Sequence, residues 1–199
     1  MGQRSRHPMK WRSVLSSFVI LAGCSAATLS DARLAFAHSV ATCRDNQLSV
    51  SLHSGGVGLG HFGYRLELTR VGPGTCSLTG YVRATFEDTK HGPATVSARD
   101  TKSGYLGGLP LNGPQARQIP VVVLAPMTGK ASVLIEGEDV PIGDATSCRV
   151  YTTLEIVLTI VRGFSQTHEG PKYGFPVYFQ DCSQPQVHPI VSGTSGSEN

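Results

Sequence analysis

"HFGYRLELTR", residues 61–70, alternates without interruption. Phe62, Tyr64, Leu66 and Leu68 fall on one side, and Arg65, Glu67 and Thr69 on the other. Successive side chains of an extended chain point to opposite faces, so a two-residue period predicts a strand with one face on a core and one in water. The pattern recurs along the chain. "NQLSVSLH" (46–53) sets Leu48, Val50 and Leu52 against Ser49 and Ser51. "GYVRATFED" (80–88) sets Val82, Ala84 and Phe86 against Arg83, Thr85 and Glu87. "TLEIVLTIV" (153–161) sets Leu154, Ile156, Leu158 and Ile160 against Glu155 and Thr159. No window carries a 3.6-residue apolar stripe.

Shorter strand candidates are "TVSA", "QIPVVVL", "SVLIE", "FPVYF" and "HPIV". Pro120 and Pro176 assign two of them to edges or bulges, because proline cannot donate to a ladder. "VGPGT", "KHGP", "PLNGP" and "PMTGK" are turns by composition. The count predicts an all-β, immunoglobulin-like two-sheet β-sandwich of about eight or nine strands, with a closed barrel as the alternative. The single tryptophan, Trp11, lies ahead of every strand, so none is expected to pack on a disulfide in the core.

A chain of 199 residues holds one ordinary domain of about 150 residues plus a leader and a tail. The formal charge of +3 misleads, because Arg4, Arg6, Lys10 and Arg12 all precede residue 24 and no acid accompanies them. Without them 13 basic residues face 14 acidic ones, a net charge of −1. Such a domain offers no electrostatic footprint to a phosphate backbone, and nucleic acid is not expected as a partner.

Residues 1–12 are basic and polar, and "SVLSSFVILA" (13–22) is an apolar core. That order is the plan of a secretory signal peptide, and ten residues fall short of the ~20 that a span requires. Two cleavage sites compete. Leu21-Ala22-Gly23-Cys24 resembles a bacterial lipobox, in which the Cys24 thiol would carry a diacylglycerol. Ala35-Phe36-Ala37 suits ordinary secretion but lies about ten residues beyond the core. The expectation is lipidation at Cys24, giving membrane attachment on the outer face of the bacterial plasma membrane.

Five cysteines, an odd count, ask for a leftover in an exported protein. With Cys24 lipidated, Cys43, Cys76, Cys148 and Cys182 remain for two disulfides in an oxidising compartment, by any of three pairings. A zinc site would be the competing use, yet no Cys-x-x-Cys or paired histidine spacing is present. The expected organisation is a signal peptide at 1–23, a tether at 24–42, a sandwich at 43–191 and a disordered tail at 192–199, "SGTSGSEN".

"GYRLELTRVGPGTCSLTGYV" (63–82) carries a family resemblance. Its Thr75-Cys76-x-Leu78-x-Gly80-Tyr81 segment, with Cys43 before it and Cys148 and Cys182 after it, resembles the exported domain of actinobacterial lipoproteins and secreted proteins termed domain of unknown function forty-two thirty-two. The likeness runs over about residues 43–183. Arg70 stands where the family often has asparagine, Val82 where it has proline, and its Leu-x-Pro-Gly turn is stretched across Leu124–Gly129. The resemblance implies an exported β-sandwich with sequential disulfides, Cys43–Cys76 and Cys148–Cys182. It implies no catalytic or ligand residues.

Several constellations have plain structural explanations. "HSGGVGLG" (53–60) looks like a phosphate loop, but a strand rather than a helix follows, so a hairpin connection is expected. The seven histidines are scattered and expected at the surface; no metal and no cofactor is expected. Gly-x-Ser-x-Gly is absent, and Glu87-Asp88, Glu136, Glu138 and Asp139 fit charged faces and turns better than a catalytic acid/base pair. "VRGFSQTHEGPKYGFPVYF" (161–179) combines aromatics with cations between two strong strands. Arg162, Phe164, His168, Lys172 and Tyr173 form a candidate binding loop there. The competing reading makes Phe175, Val177 and Phe179 an inward strand face. The expected function is a non-catalytic module binding an envelope protein or glycan; a passive envelope component and, third, a hydrolase are the alternatives.

Overall fold

A computed structural model describes residues 40–88, 94–141, 148–162 and 166–198, with the side chains of 159–162 and 166–170 left out. The leader, Cys24 and most of the expected tether lie outside the described residues. Among the described residues nine strands hold four or more residues. They are β1 (Leu48–Gly58), β2 (His61–Arg70), β3 (Cys76–Thr79), β4 (Arg83–Asp88), β5 (Ala94–Ser97), β7 (Val121–Leu124), β8 (Lys130–Glu138), β9 (Arg149–Arg162) and β10 (Gln166–Asp181). Three two-residue strands complete the set: β6 (Arg99–Asp100), β11 (Gln186–Val187) and β12 (Val191–Ser192). Among the described residues no helix is long and apolar enough to cross a membrane.

The chain is an all-β sandwich. One sheet has the order β1-β2-β8-β11-β6, with β12 also paired to β8; the other has the order β10-β9-β4-β5. A two-stranded sheet, β3-β7, closes one end. The alternating residues face inward as their period requires: Leu66, Leu68, Ala84, Phe86, Leu154 and Ile156 are all buried. The role left open by the missing tryptophan falls to Phe179. Its ring lies 4.1 Å from Phe86 and 4.5 Å from Phe62, centroid to centroid, and so joins the two sheets. Burying a phenylalanine contributes about 1.5–3 kcal/mol, and each well-placed aromatic pair adds ~1 kcal/mol.

Pro176 sits at an irregularity, as a mid-strand proline must. The β10–β9 register shifts between Pro176 and Phe179, and β10 is the edge of its sheet. The backbone polar groups of Tyr178 are then satisfied across the sandwich. Its N–H donates to the Tyr64 hydroxyl (3.1 Å), which donates to its carbonyl (3.0 Å).

Disulfides join Cys43 to Cys76 and Cys148 to Cys182, across sequence separations of 33 and 34 residues. Chain-entropy reasoning gives each about 3–4 kcal/mol of stabilisation. Arg70, in phase with Leu66 and Leu68, also points inward and is only 1% exposed. Its guanidinium donates to the carbonyls of Gln47, Pro73 and Gly74, tying β2 to the 71–75 turn.

Both ends of the domain extend beyond the expected 43–191. Ser77 N–H donates to the Ala41 carbonyl, and Thr42 bridges Ser77, so the last residues of the expected tether are part of the structure. The terminal segment, expected to be disordered, is ordered through Glu198. Ser197 bridges Gly108, and Gly196 N–H donates to the buried Ser132 hydroxyl. Serine and glycine are disorder-prone by composition, but here the backbone itself supplies the bonds.

The glycine-rich stretch 53–60 belongs mainly to β1, with a bulge between Ser54 and Gly56 and a two-residue turn at Leu59-Gly60. Both turn residues have positive φ, 45° and 81°, the signature of a type I′ turn. Leucine is poorly suited to that region, and Leu59 is 87% exposed, so nothing holds it there by packing. Leu59→Asn, creating the favoured Asn-Gly pair, is expected to stabilise the domain by about 0.5–1 kcal/mol in urea unfolding; a loss of stability would contradict the turn assignment.

Candidate functional site

On either side of residues 163–165, which lie outside the described residues, the stretch 161–179 continues β9 and enters β10, with Gln166 opposite Arg162 and His168 opposite Ile160. Phe164 lies outside the described residues, as do the side chains of Arg162 and His168. Lys172 is exposed and pairs with Glu155 at 3.2 Å. Tyr173, pointing the other way, packs on the core together with Phe175 and Val177. The inward strand face is therefore real. β4 pairs with β9 only from Thr153 to Val157, so beyond Leu158 the two long strands pair with each other alone.

A constellation missed by the sequence reading lies on the other face of the six-stranded sheet. β8 is buried on both faces. Val133 and Ile135 enter the sandwich core, whereas Leu134 and Glu136, in the opposite phase, sit beneath the 101–110 loop and the terminal segment. Leu134 is only 1% exposed because glycines crowd it. A Cβ on Gly55 would stand 2.7 Å from its side chain, and one on Gly107 3.0 Å. Glu136, expected on a charged outer face, is buried, and its carboxylate accepts the amides of Tyr105 and Leu106, both at 2.9 Å. Gly104 makes this approach possible, since a Cβ there would overlap the carboxylate.

His188, expected at the surface, is fully buried beside it. Its Nε2 is 3.6 Å from Glu136 Oε1, and its Nδ1 lies 3.2 Å from the Thr101 carbonyl. Burial pushes the Glu136 carboxyl up, but the His188 ring and the two amides outweigh it and hold the group below the usual range. Glu136 is thus an acceptor tying down a loop. A carboxylate and an imidazole with almost no exposed surface offer a substrate no approach.

Two recesses flank the Thr79–Arg83 crossover between β3 and β4. A largely apolar pit of about 50 Å³ is lined by Leu48, Leu68, Leu78, Val82, Leu158 and Ile190, with hydroxyl-bearing residues, Thr42 and Ser77 among them, in the rest of its wall. A wider cleft of about 290 Å³ is lined by Tyr81, Arg83, Ala98 and Asp100, among others. They share Thr79, Tyr81 and Val82 as a common wall. Burial pushes up the Asp100 carboxyl, and burial together with the nearby Asp100 charge pushes up the Tyr81 hydroxyl. Among the described residues no group of three or more potential ligands is placed to hold a metal ion.

Asp181 closes the opposite end of the sandwich, next to Cys182. Its Oδ1 accepts the Glu138 amide at 3.0 Å, while the buried Oδ2 has no partner among the described residues. Burial pushes its carboxyl up to about 6. The folded state therefore holds an extra proton between pH ~4 and ~6, and stability falls as pH rises through that window. Asp181→Asn, which keeps the Oδ1 acceptor, is expected to flatten this part of the Tm–pH curve and to match or exceed the parent's Tm at pH 7.5; an unchanged slope would remove Asp181 as its source.

Neither a curated protein nor a solved structure matches the chain. A family profile does, over residues 43–189, running from the first bridged cysteine to just past the buried His188. It covers both disulfides and the Thr79–Arg83 crossover, and on that match the chain belongs to the family described as Domain of unknown function (DUF4232).

Proposed function

We propose that the protein is exported, held by a lipid on Cys24 at the outer face of a bacterial plasma membrane, and acts there as a non-catalytic module that binds another envelope component. The observation carrying the binding role is the recess at Thr79–Arg83, where an apolar pit and a polar cleft meet at one wall. Binding sites combine an apolar lining with a few convergent polar groups in this way. The buried acid–imidazole pair supports a role other than hydrolysis, since its carboxylate is engaged by the 101–110 loop.

The address rests on chemistry of a different kind. Two disulfides suit an oxidising compartment, and the lipobox removes the one cysteine that they leave over. Cys24→Ala is expected to move the protein from the membrane fraction to the medium or the soluble envelope fraction. Mass spectrometry of the parent should find an N-terminus at Cys24 carrying a diacylglycerol. An unmodified N-terminus at His38, with unchanged partitioning of the variant, would make the protein soluble and secreted. A photo-crosslinking residue at position 81, tested in intact cells, should trap an envelope component that one at position 172 does not; equal trapping would remove the recess from the binding role.

A further inference from the structure

We infer that the recess at Thr79–Arg83 is a peptide-binding site, which takes an aliphatic side chain into the pit and a cationic group, a lysine, an arginine or a free amine, into the cleft beside Asp100. This rests on the binding role proposed above and specifies its ligand.

The pit excludes most other chemistry. Leu48, Leu78, Leu158 and Ile190 each keep a remnant of exposure, between 5 and 7%, where Leu66 and Leu154 keep none. These are core side chains that the core leaves uncovered on one side. A space of this size, lined mainly by leucine, isoleucine and valine with Thr42, Ser77, Thr79 and Tyr81 completing the wall, admits a few methyl groups, and a hydroxyl set against its aliphatic part would lose hydrogen bonds to water. Of the hydroxyl side chains in the wall, Ser77 already donates to the Val40 carbonyl and Thr79 to that of Pro120, while Thr42 and Tyr81 stand at its margin. A Leu, Ile or Val side chain matches the aliphatic part of this wall better than a sugar, which carries a hydroxyl on nearly every carbon.

The cleft supplies the second half. Neither the Asp100 carboxylate nor the Tyr81 hydroxyl has a hydrogen-bond partner among the described residues, and the two are close enough for the carboxylate charge to act on the phenol. Arg83, the cation lining the same cleft, already interacts within the protein. Asp100 thus presents an exposed carboxylate at the lip of the cleft, with which a ligand ammonium or guanidinium can form a charge-assisted hydrogen bond. Because Tyr81 and Val82 face both recesses, the apolar and cationic groups must lie within a residue or two of each other on the ligand. Adjacent side chains of an extended peptide meet that requirement.

The test uses the isotope-labelled full chain in detergent, titrated with acetyl-Leu-Lys-amide, acetyl-Leu-Glu-amide, acetyl-Gly-Lys-amide and chitotriose while backbone amides are followed by NMR. Acetyl-Leu-Lys-amide should shift the amides of Tyr81, Val82 and Asp100 and saturate in the millimolar range, as the few contacts of so small a ligand permit. The Leu-Glu and Gly-Lys probes should bind at least about tenfold more weakly. Asp100→Asn, at an exposed position, should abolish the preference for lysine over glutamate and leave the preference for leucine over glycine. Val82→Phe should remove the leucine preference by filling the pit. If Val82→Phe does not fold, Asp100→Asn decides alone. Equal binding of the Leu-Lys and Leu-Glu probes, chitotriose binding at these amides, or no shift at residues 79–83 with any peptide would overturn the inference. A silent recess in a protein that still crosslinks to a partner elsewhere would overturn this inference and leave the binding role standing, whereas absence of any partner in intact cells would overturn both.

Discussion

Two hydrogen bonds, from the amides of Tyr105 and Leu106 to the carboxylate of Glu136, hold the outer layer of the six-stranded sheet. They fix the 101–110 loop over the outer face of β8, and the terminal segment closes beside it through Gly196 and Ser197. A carboxylate in an apolar layer would cost several kcal/mol if left bare. Charge-assisted bonds to two amides contribute about 1.5–3 kcal/mol each, and the adjacent imidazole adds to them. The balance favours burial only while both amides stay in place. The same burial covers Leu134, worth a further ~2 kcal/mol. The six-stranded sheet thus has a sandwich core on one face and a thin covering layer on the other.

This arrangement leaves the rest of the molecule as two open ends. At one, the edge of the core is unfinished around Leu48, Leu78, Leu158 and Ile190, near the Cys43–Cys76 disulfide and the point where the described chain begins. At the other, the Cys148–Cys182 disulfide, Asp181 and the β1–β2 turn meet around the exposed Leu59 and Val140. The disulfides constrain chain segments at these ends, where strand pairing is thin. The centre, where Phe62, Phe86 and Phe179 stack, is held by side-chain packing.

Alternation made the sandwich legible from the sequence, and it was right wherever a strand has one wet face. Leu48, Leu66, Leu68, Ala84, Phe86, Leu154, Ile156 and Leu158 are buried as a period of two requires, although Val157, in the opposite phase of β9, is buried as well. It failed at β8, where "SVLIE" has both phases buried and Glu136 reads as an outward charge. Pattern reasoning has no means of seeing a loop fold back over a sheet. One signal was available: Gly63 occupies an outward position in the middle of a strong strand, and a glycine there marks a close approach by another part of the chain. Leu106 approaches it, together with Leu134 and the Ile135 carbonyl of β8. The order of the last residues was hidden for a related reason, since their bonds are made by backbone groups, which carry no side-chain signature. The recess at Thr79–Arg83 escaped the sequence reading because its walls come from segments far apart in the chain; only Ser77 to Arg83 are contiguous.

Amide hydrogen exchange of the parent and of Glu136→Leu is the most direct measurement of whether the Glu136 carboxylate organises the outer layer. The Tyr105 and Leu106 amides should be protected in the parent. In the variant both should exchange at least tenfold faster, together with Gly196, while the amides of Leu66 and Leu154 in the sandwich core keep their protection. Unprotected Tyr105 and Leu106 in the parent, or protection that survives the loss of the carboxylate, would contradict the account.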